Sequence, residues 1–117
     1  MNDQISWDLE VAILPGQLDN FRAVARDLIA ATEPEPGALS YEYKLSNDGT
    51  ACHIYERYQN SAAVLAHVES FHHFAERFMQ TCRPTSLHIY GAPSDEVKAE
   101  FADLHPVYFT WFGGFNR

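Results

Sequence analysis

The chain has 117 residues, 46% of them apolar, enough for one domain with a single sizeable core and too few for two. A formal charge of -8, with eight Lys and Arg scattered from Arg22 to Arg117, argues against nucleic acid or an anionic membrane surface as partner and leaves a small molecule or another copy of the chain. No apolar run approaches the roughly 18 residues of a membrane helix, "MNDQISWDLE" lacks the layout of an export signal, and Cys52 and Cys82 have no metal-ligand spacing, so a cytoplasmic chain with reduced thiols is expected.

In chain order, Ile5, Trp7, Leu9, Val11 and Ile13 alternate with polar or small residues, the period of a half-buried strand, which stops at Pro15-Gly16. Leu18, Phe21, Val24, Ala25, Leu28 and Ala31 then recur at helical spacing, with Arg22, Arg26 and Asp27 outside the stripe. This helix is stopped by "EPEPG", Glu33 to Gly37, because proline cannot donate the next helical hydrogen bond.

Two strands follow, "LSYEYKLS" and "TACHIYERY". Asp48-Gly49 between them suits a two-residue hairpin turn with both residues at positive φ. That turn pairs Leu45 with Cys52, Tyr43 with Ile54, Tyr41 with Glu56 and Leu39 with Tyr58. One face is then apolar or aromatic except for Glu56, and the other carries Ser40, Glu42, Lys44, His53, Tyr55 and Arg57. A second helical region begins with Asn60 or Ser61 as cap, breaks near Glu69-Ser70, and continues through Phe71, Phe74, Ala75 and Phe78. "TSLHIYGA" reads as a fourth strand, with Leu87 and Ile89 on one side. Ser94 caps a short helix through Val97, Phe101 and Leu104, ended by His105-Pro106, and the tail "VYFTWFGGFNR" is aromatic.

The order strand, helix, strand, strand, helix, strand is that of the ferredoxin-like βαββαβ unit, an α+β fold with an antiparallel sheet. Tyr108, Phe109, Trp111, Phe112 and Phe115 would leave a large apolar patch on a monomer, so a symmetric homodimer is expected.

Two polar residues stand among the core positions. A lone buried carboxylate costs several kcal/mol unless it is hydrogen-bonded or protonated, and Glu56 has Tyr41 opposite it as a suitable donor. His67 lies on the helix that follows, four residues after Ala63, where it can meet Glu56 or Tyr41 across a pocket and accept a proton near neutral pH. His72 and His73 follow Phe71, and at least one of them should face solvent. Neither a His-Glu-x-x-His motif nor a phosphate-binding glycine loop is present, and no metal site is expected.

On these residues the chain resembles the antibiotic biosynthesis monooxygenase domain family, whose members form dimeric α+β barrels. The likeness runs from Ile5 to about Tyr90 and is carried by "YERYQNSAAVLAH", in which Glu56, Tyr58 and His67 match the family pattern; Ser70 and His72 match its later Ser and His. The chain departs where His73 intervenes before Phe74. The expected organisation is a family-like domain over residues 1–92, with a helix and extended aromatic tail over 93–117 that packs on the domain or across the dimer.

The resemblance implies an oxygenase that needs no metal or flavin and acts with dioxygen on a quinol or polycyclic phenol. A base takes the phenolic proton in a dry pocket, and the electron-rich anion itself reduces dioxygen. His67 is then the base or hydrogen-bond donor and Glu56 orients it. Tyr41, Tyr58 and His72 line the site, with Trp7, Phe71, Phe74 and Phe78 as apolar walls. Two other functions fit the same pocket. One is a non-catalytic dimer binding a small ligand. The other is a haem-binding or haem-degrading relative, which the buried acid disfavours because it would repel haem propionates.

Overall fold

The structure, a computed structural model, describes residues 2–117; Met1, the first residue of the expected 1–92 unit, lies outside it. The chain runs as β1 (Ile5–Ile13), α1 (Leu18–Thr32), β2 (Ala38–Leu45), β3 (Ala51–Tyr58), α2 (Ser61–Phe71), α3 (Ala75–Met79), β4 (Cys82–Tyr90), α4 (Asp95–Phe101), a 3-10 turn (Ala102–Leu104) and β5 (Val107–Phe109). The strands form one sheet in the order β2-β3-β1-β4-β5, antiparallel except for β5, which pairs parallel with β4. The first four strands have the expected ferredoxin-like arrangement. β5 adds an edge formed by the C-terminal segment.

The β2–β3 register agrees with the sequence pattern at Leu45 with Cys52, Tyr43 with Ile54 and Tyr41 with Glu56. It fails at Leu39. A bulge between Ala38 and Ser40 sets Ala38, not Leu39, opposite Tyr58, and leaves Leu39 exposed. The turn also differs from the two-residue form, because among the described non-glycine residues only His105 has positive φ, so Asp48 does not. The connection is longer: Ser46 N–H donates to Ala51 O, and Gly49 N–H donates to Ser46 O with Gly49 at φ 73°. Asp48 organises it by accepting from the Ser46 hydroxyl and from the Thr50 N–H and hydroxyl. A four-residue loop centred on the same pair preserves the register that a two-residue turn would give.

Asn60 caps α2, its side chain accepting from Ala63 N–H at 2.9 Å. The break expected at Glu69-Ser70 falls later, at residues 72–74, and α2 keeps its hydrogen bonding through Phe71. β4 starts three residues before the expected Thr85. It tolerates Pro84 because Val11 pairs with Pro84 while Glu10 pairs with Ser86, leaving Thr85 as the extra residue of a bulge.

The helices cover one face of the sheet, where the core forms two clusters. One gathers Val11, Phe21, Val24, Leu28, Ile54 and Phe78 under α1 and α3; the other gathers Ile5, Trp7, Tyr58, Val64, Ile89 and Val97 under α2 and α4. Leu9, midway along β1, packs against both and is only half-buried. The core between sheet and helices is hollow at that point.

Candidate active site

The hollow is a cavity of about 750 Å³ on the helix side of the sheet. Its floor is Trp7 and Leu9 of β1, Glu56 of β3 and Leu87 of β4; His67, Phe71 and Phe78 come from the helices. A third wall is made by the C-terminal segment through Phe101, Leu104, His105 and Val107. Phe101 stands edge-on to Trp7, with ring centroids 5.1 Å apart. His105, at the end of the 3-10 turn, holds the left-handed conformation (φ 51°) that turns the chain into β5.

Glu56 and His67 both reach this cavity. The position of Glu56 follows from the period of two in β3, where Cys52, Ile54, Glu56 and Tyr58 are all buried. His67 lies on the same side of α2 as Val64, the other buried residue of that helix. The imidazole Nε2 stands 3.4 Å from Glu56 Oε1. Its Nδ1 is 3.2 Å from both carboxylate oxygens of Glu35, so one ring is held between two acids.

Burial pushes the Glu56 carboxyl above the ordinary carboxylate range, and the neighbouring His67 and the hydrogen bonds of Tyr58 and Trp7 offset part of that shift. The Tyr58 hydroxyl donates to Glu56 Oε1 at 2.7 Å. This corrects the expected Tyr41 to Glu56 hydrogen bond, since the Tyr41 hydroxyl shares a 2.8 Å hydrogen bond with Tyr43. Residues on one strand two apart share a face, and the Tyr58 side chain reaches back along β3. Tyr41 instead presents its ring edge to His67, centroid to centroid 5.3 Å. Burial raises the phenol pKa of Tyr41, Tyr43 and Tyr58 well above its ordinary value, so all three hydroxyls remain protonated.

Of the residues singled out in the sequence, Trp7, Glu56, His67, Phe71, His72 and Phe78 line the cavity together. Tyr41, Tyr58 and Phe74 do not. Tyr58 is fully buried against Trp7 with stacked rings 5.0 Å apart, and Phe74 packs against the α1 core. No sequence pattern marks Glu35 for more than its place in a helix-stopping segment, and none sets Phe101 or Leu104 at a site. The only available signal for Glu35 was an acid set between two prolines and followed by glycine. Among the described residues no group of three His, Cys, Asp or Glu side chains is placed to hold a metal ion.

An α+β sheet covered by helices on one face thus sets a buried acid and imidazole at an apolar hollow on a ferredoxin-like scaffold. The sequence profile of the family described as antibiotic biosynthesis monooxygenase matches residues 8–77, more than half of the chain, and the chain belongs to that family. Among solved structures, MupZ from Pseudomonas fluorescens is similar over 99% of this chain and 96% of its own, with TM-score 0.88 and 21% identity. SnoaB from Streptomyces nogalater, a cofactor-independent oxygenase, is similar over 79% of this chain and 95% of its own, with TM-score 0.67 and 13% identity. A Mycobacterium tuberculosis protein is similar over 79% and 96% respectively, with TM-score 0.67 and 24% identity. These likenesses establish the fold. No curated protein matches the sequence at a significant level.

Proposed function

We propose that the protein is a cofactor-independent monooxygenase that oxidises a quinol or polycyclic phenol with dioxygen in the Glu56–His67 cavity, and that it works as a homodimer. The observation that carries this reading is the 3.4 Å approach of His67 Nε2 to Glu56 at the wall of an apolar hollow large enough for a multi-ring aromatic. Family membership and the activity of SnoaB support it.

His67 Nε2 takes the phenolic proton of the bound substrate, and Glu56 stabilises the resulting imidazolium. The phenolate passes one electron to dioxygen, and the radical pair joins at a ring carbon to give a peroxide, which takes the Nε2 proton of His67 as a proton from solvent returns to Nδ1. The same base then removes the hydrogen on that carbon as the O–O bond breaks. One oxygen stays as a carbonyl and the other leaves as hydroxide, which the returned proton converts to water. The balance is one phenol and one dioxygen to one quinone and one water. Trp7, Leu9, Phe71, Phe78 and Phe101 supply apolar contact and exclude solvent from the anion, while His72 stands at the wall as a further polar contact.

The test is oxygen uptake across a panel of hydroquinones and polycyclic phenols. Wild type should consume oxygen with one class, and His67→Ala should lower kcat by about 10²-fold or more with its fold intact by circular dichroism. Flat oxygen traces across the panel, or full activity in the variant, would reject the assignment.

A further inference from the structure

Glu56 and His67 face the cavity, but Glu35 is absent from its lining; the side chains of Glu56 and His67 are 8% and 6% exposed, whereas that of Glu35 is 19% exposed. The three groups therefore run in line from the hollow to solvent: Glu56 Oε1, 3.4 Å to Nε2, across the ring, then 3.2 Å from Nδ1 to Glu35. An imidazole is suited to such a path, because it can take a proton on one nitrogen and release one from the other.

The loop after α1 is built to hold Glu35 there. Glu35 N–H donates to Thr32 O at 2.9 Å, Ala38 N–H donates to Glu35 O at 3.2 Å, and Pro34 and Pro36 fix φ on either side. Gly37 completes the seat. A Cβ at Gly37 would overlap the Ala63 Cβ, so only glycine lets this loop lie against α2, one turn before His67. The Gly37 carbonyl also accepts from Gln59 N–H at 2.9 Å, which ties the loop to the end of β3.

From this geometry we infer that Glu35 is a positioning and proton-exit residue: it holds His67 with Nδ1 protonated and Nε2 toward the cavity, and it carries to solvent the proton that His67 removes from a ligand. The inference rests on the acid–base reading of the cavity. The proton leaves the ligand for Nε2, the Nδ1 proton passes to a Glu35 oxygen, and water takes it from there. No electron moves in these steps. The titratable groups facing His67 are Glu35 from the loop, Tyr41 from β2, and Glu56 and Tyr58 from β3; His72, His88, Glu100, Asp103 and His105 share the cavity wall.

The test uses the resting full-length protein without substrate, labelled with ¹⁵N-histidine. In wild type the His67 ring should carry its proton on Nδ1. In Glu35→Ala, with no acceptor there, the proton of the neutral ring should move to Nε2, toward Glu56. Glu35→Gln keeps an acceptor for Nδ1–H but cannot take up the proton, so the tautomer should persist while exchange of that ring proton with water slows about tenfold or more. A merely structural role would move neither signal in the folded Gln variant. Unchanged ring nitrogens in Glu35→Ala, or unchanged exchange in Glu35→Gln, would overturn the inference. Because both readouts need no turnover, a lack of oxygen uptake counts against the proposed function and leaves this test intact.

Discussion

Glu56 is neutralised more readily in the folded chain than in the unfolded one, because burial raises its pKa by more than His67, Tyr58 and Trp7 lower it. The sign of the linkage follows. The stability that this group contributes is full below the unfolded carboxyl pKa of about 4.3 and is lost as pH rises through the higher folded value. Glu56→Gln, which cannot ionise, should therefore gain thermal stability relative to wild type as pH is raised from 4 toward 8; a constant Tm difference across that range would contradict the shift. Tyr58→Phe removes the 2.7 Å donor to Glu56 and should cost about 1–3 kcal/mol in denaturant unfolding, whereas Tyr41→Phe leaves Glu56 its donor and should cost less. The acid and the imidazole were legible in the sequence because each interrupts an apolar period, one of two residues and one of helical spacing. Their partners were not. Strand register places Tyr41 opposite Glu56 but does not determine which of two nearby phenols turns toward it, and Glu35 sits in a loop with no period at all.

At the scale of elements, the segment "EPEPG" does two jobs of which only one could be read. Its prolines end α1, as the sequence implies, but its glycine permits a contact between a loop and α2 that no local pattern encodes. Gly37→Ala should destabilise the fold by about 1–3 kcal/mol through overpacking against Ala63. Ala63→Gly alone should cost about 1 kcal/mol as a glycine inside a helix. The double variant should be more stable than the sum of the two costs, since it removes the overlap; strict additivity in chemical denaturation would show that the two positions do not meet. The late break after Phe71 and the bulges at Leu39 and Thr85 were hidden for a related reason. A bulge or a delayed helix end changes the course of the chain by a residue or two while barely altering the apolar period.

The whole molecule joins a scaffold legible from its sequence to a C-terminal segment that was only partly so. The four-strand order was expected from the succession of periods, but β5 is three exposed residues with no alternation to mark a parallel pairing with β4. Beyond it Trp111, Phe112 and Phe115 are 63%, 101% and 79% exposed, an apolar surface of the kind that soluble chains cover by association. Light scattering after gel filtration should give the mass of a dimer, and Trp111→Ser with Phe112→Ser should shift it toward monomer; a monomeric wild type would contradict the proposed pairing. Proton transfer from a phenol to His67 in the cavity would show directly in the absorption spectrum of a bound polycyclic phenol under anaerobic conditions. The phenolate band should appear on binding to wild type at a pH where the free phenol is neutral, and should be absent with His67→Gln. A bound phenol that stays neutral in wild type, or an equal phenolate band in the variant, would contradict the role of His67 as the base.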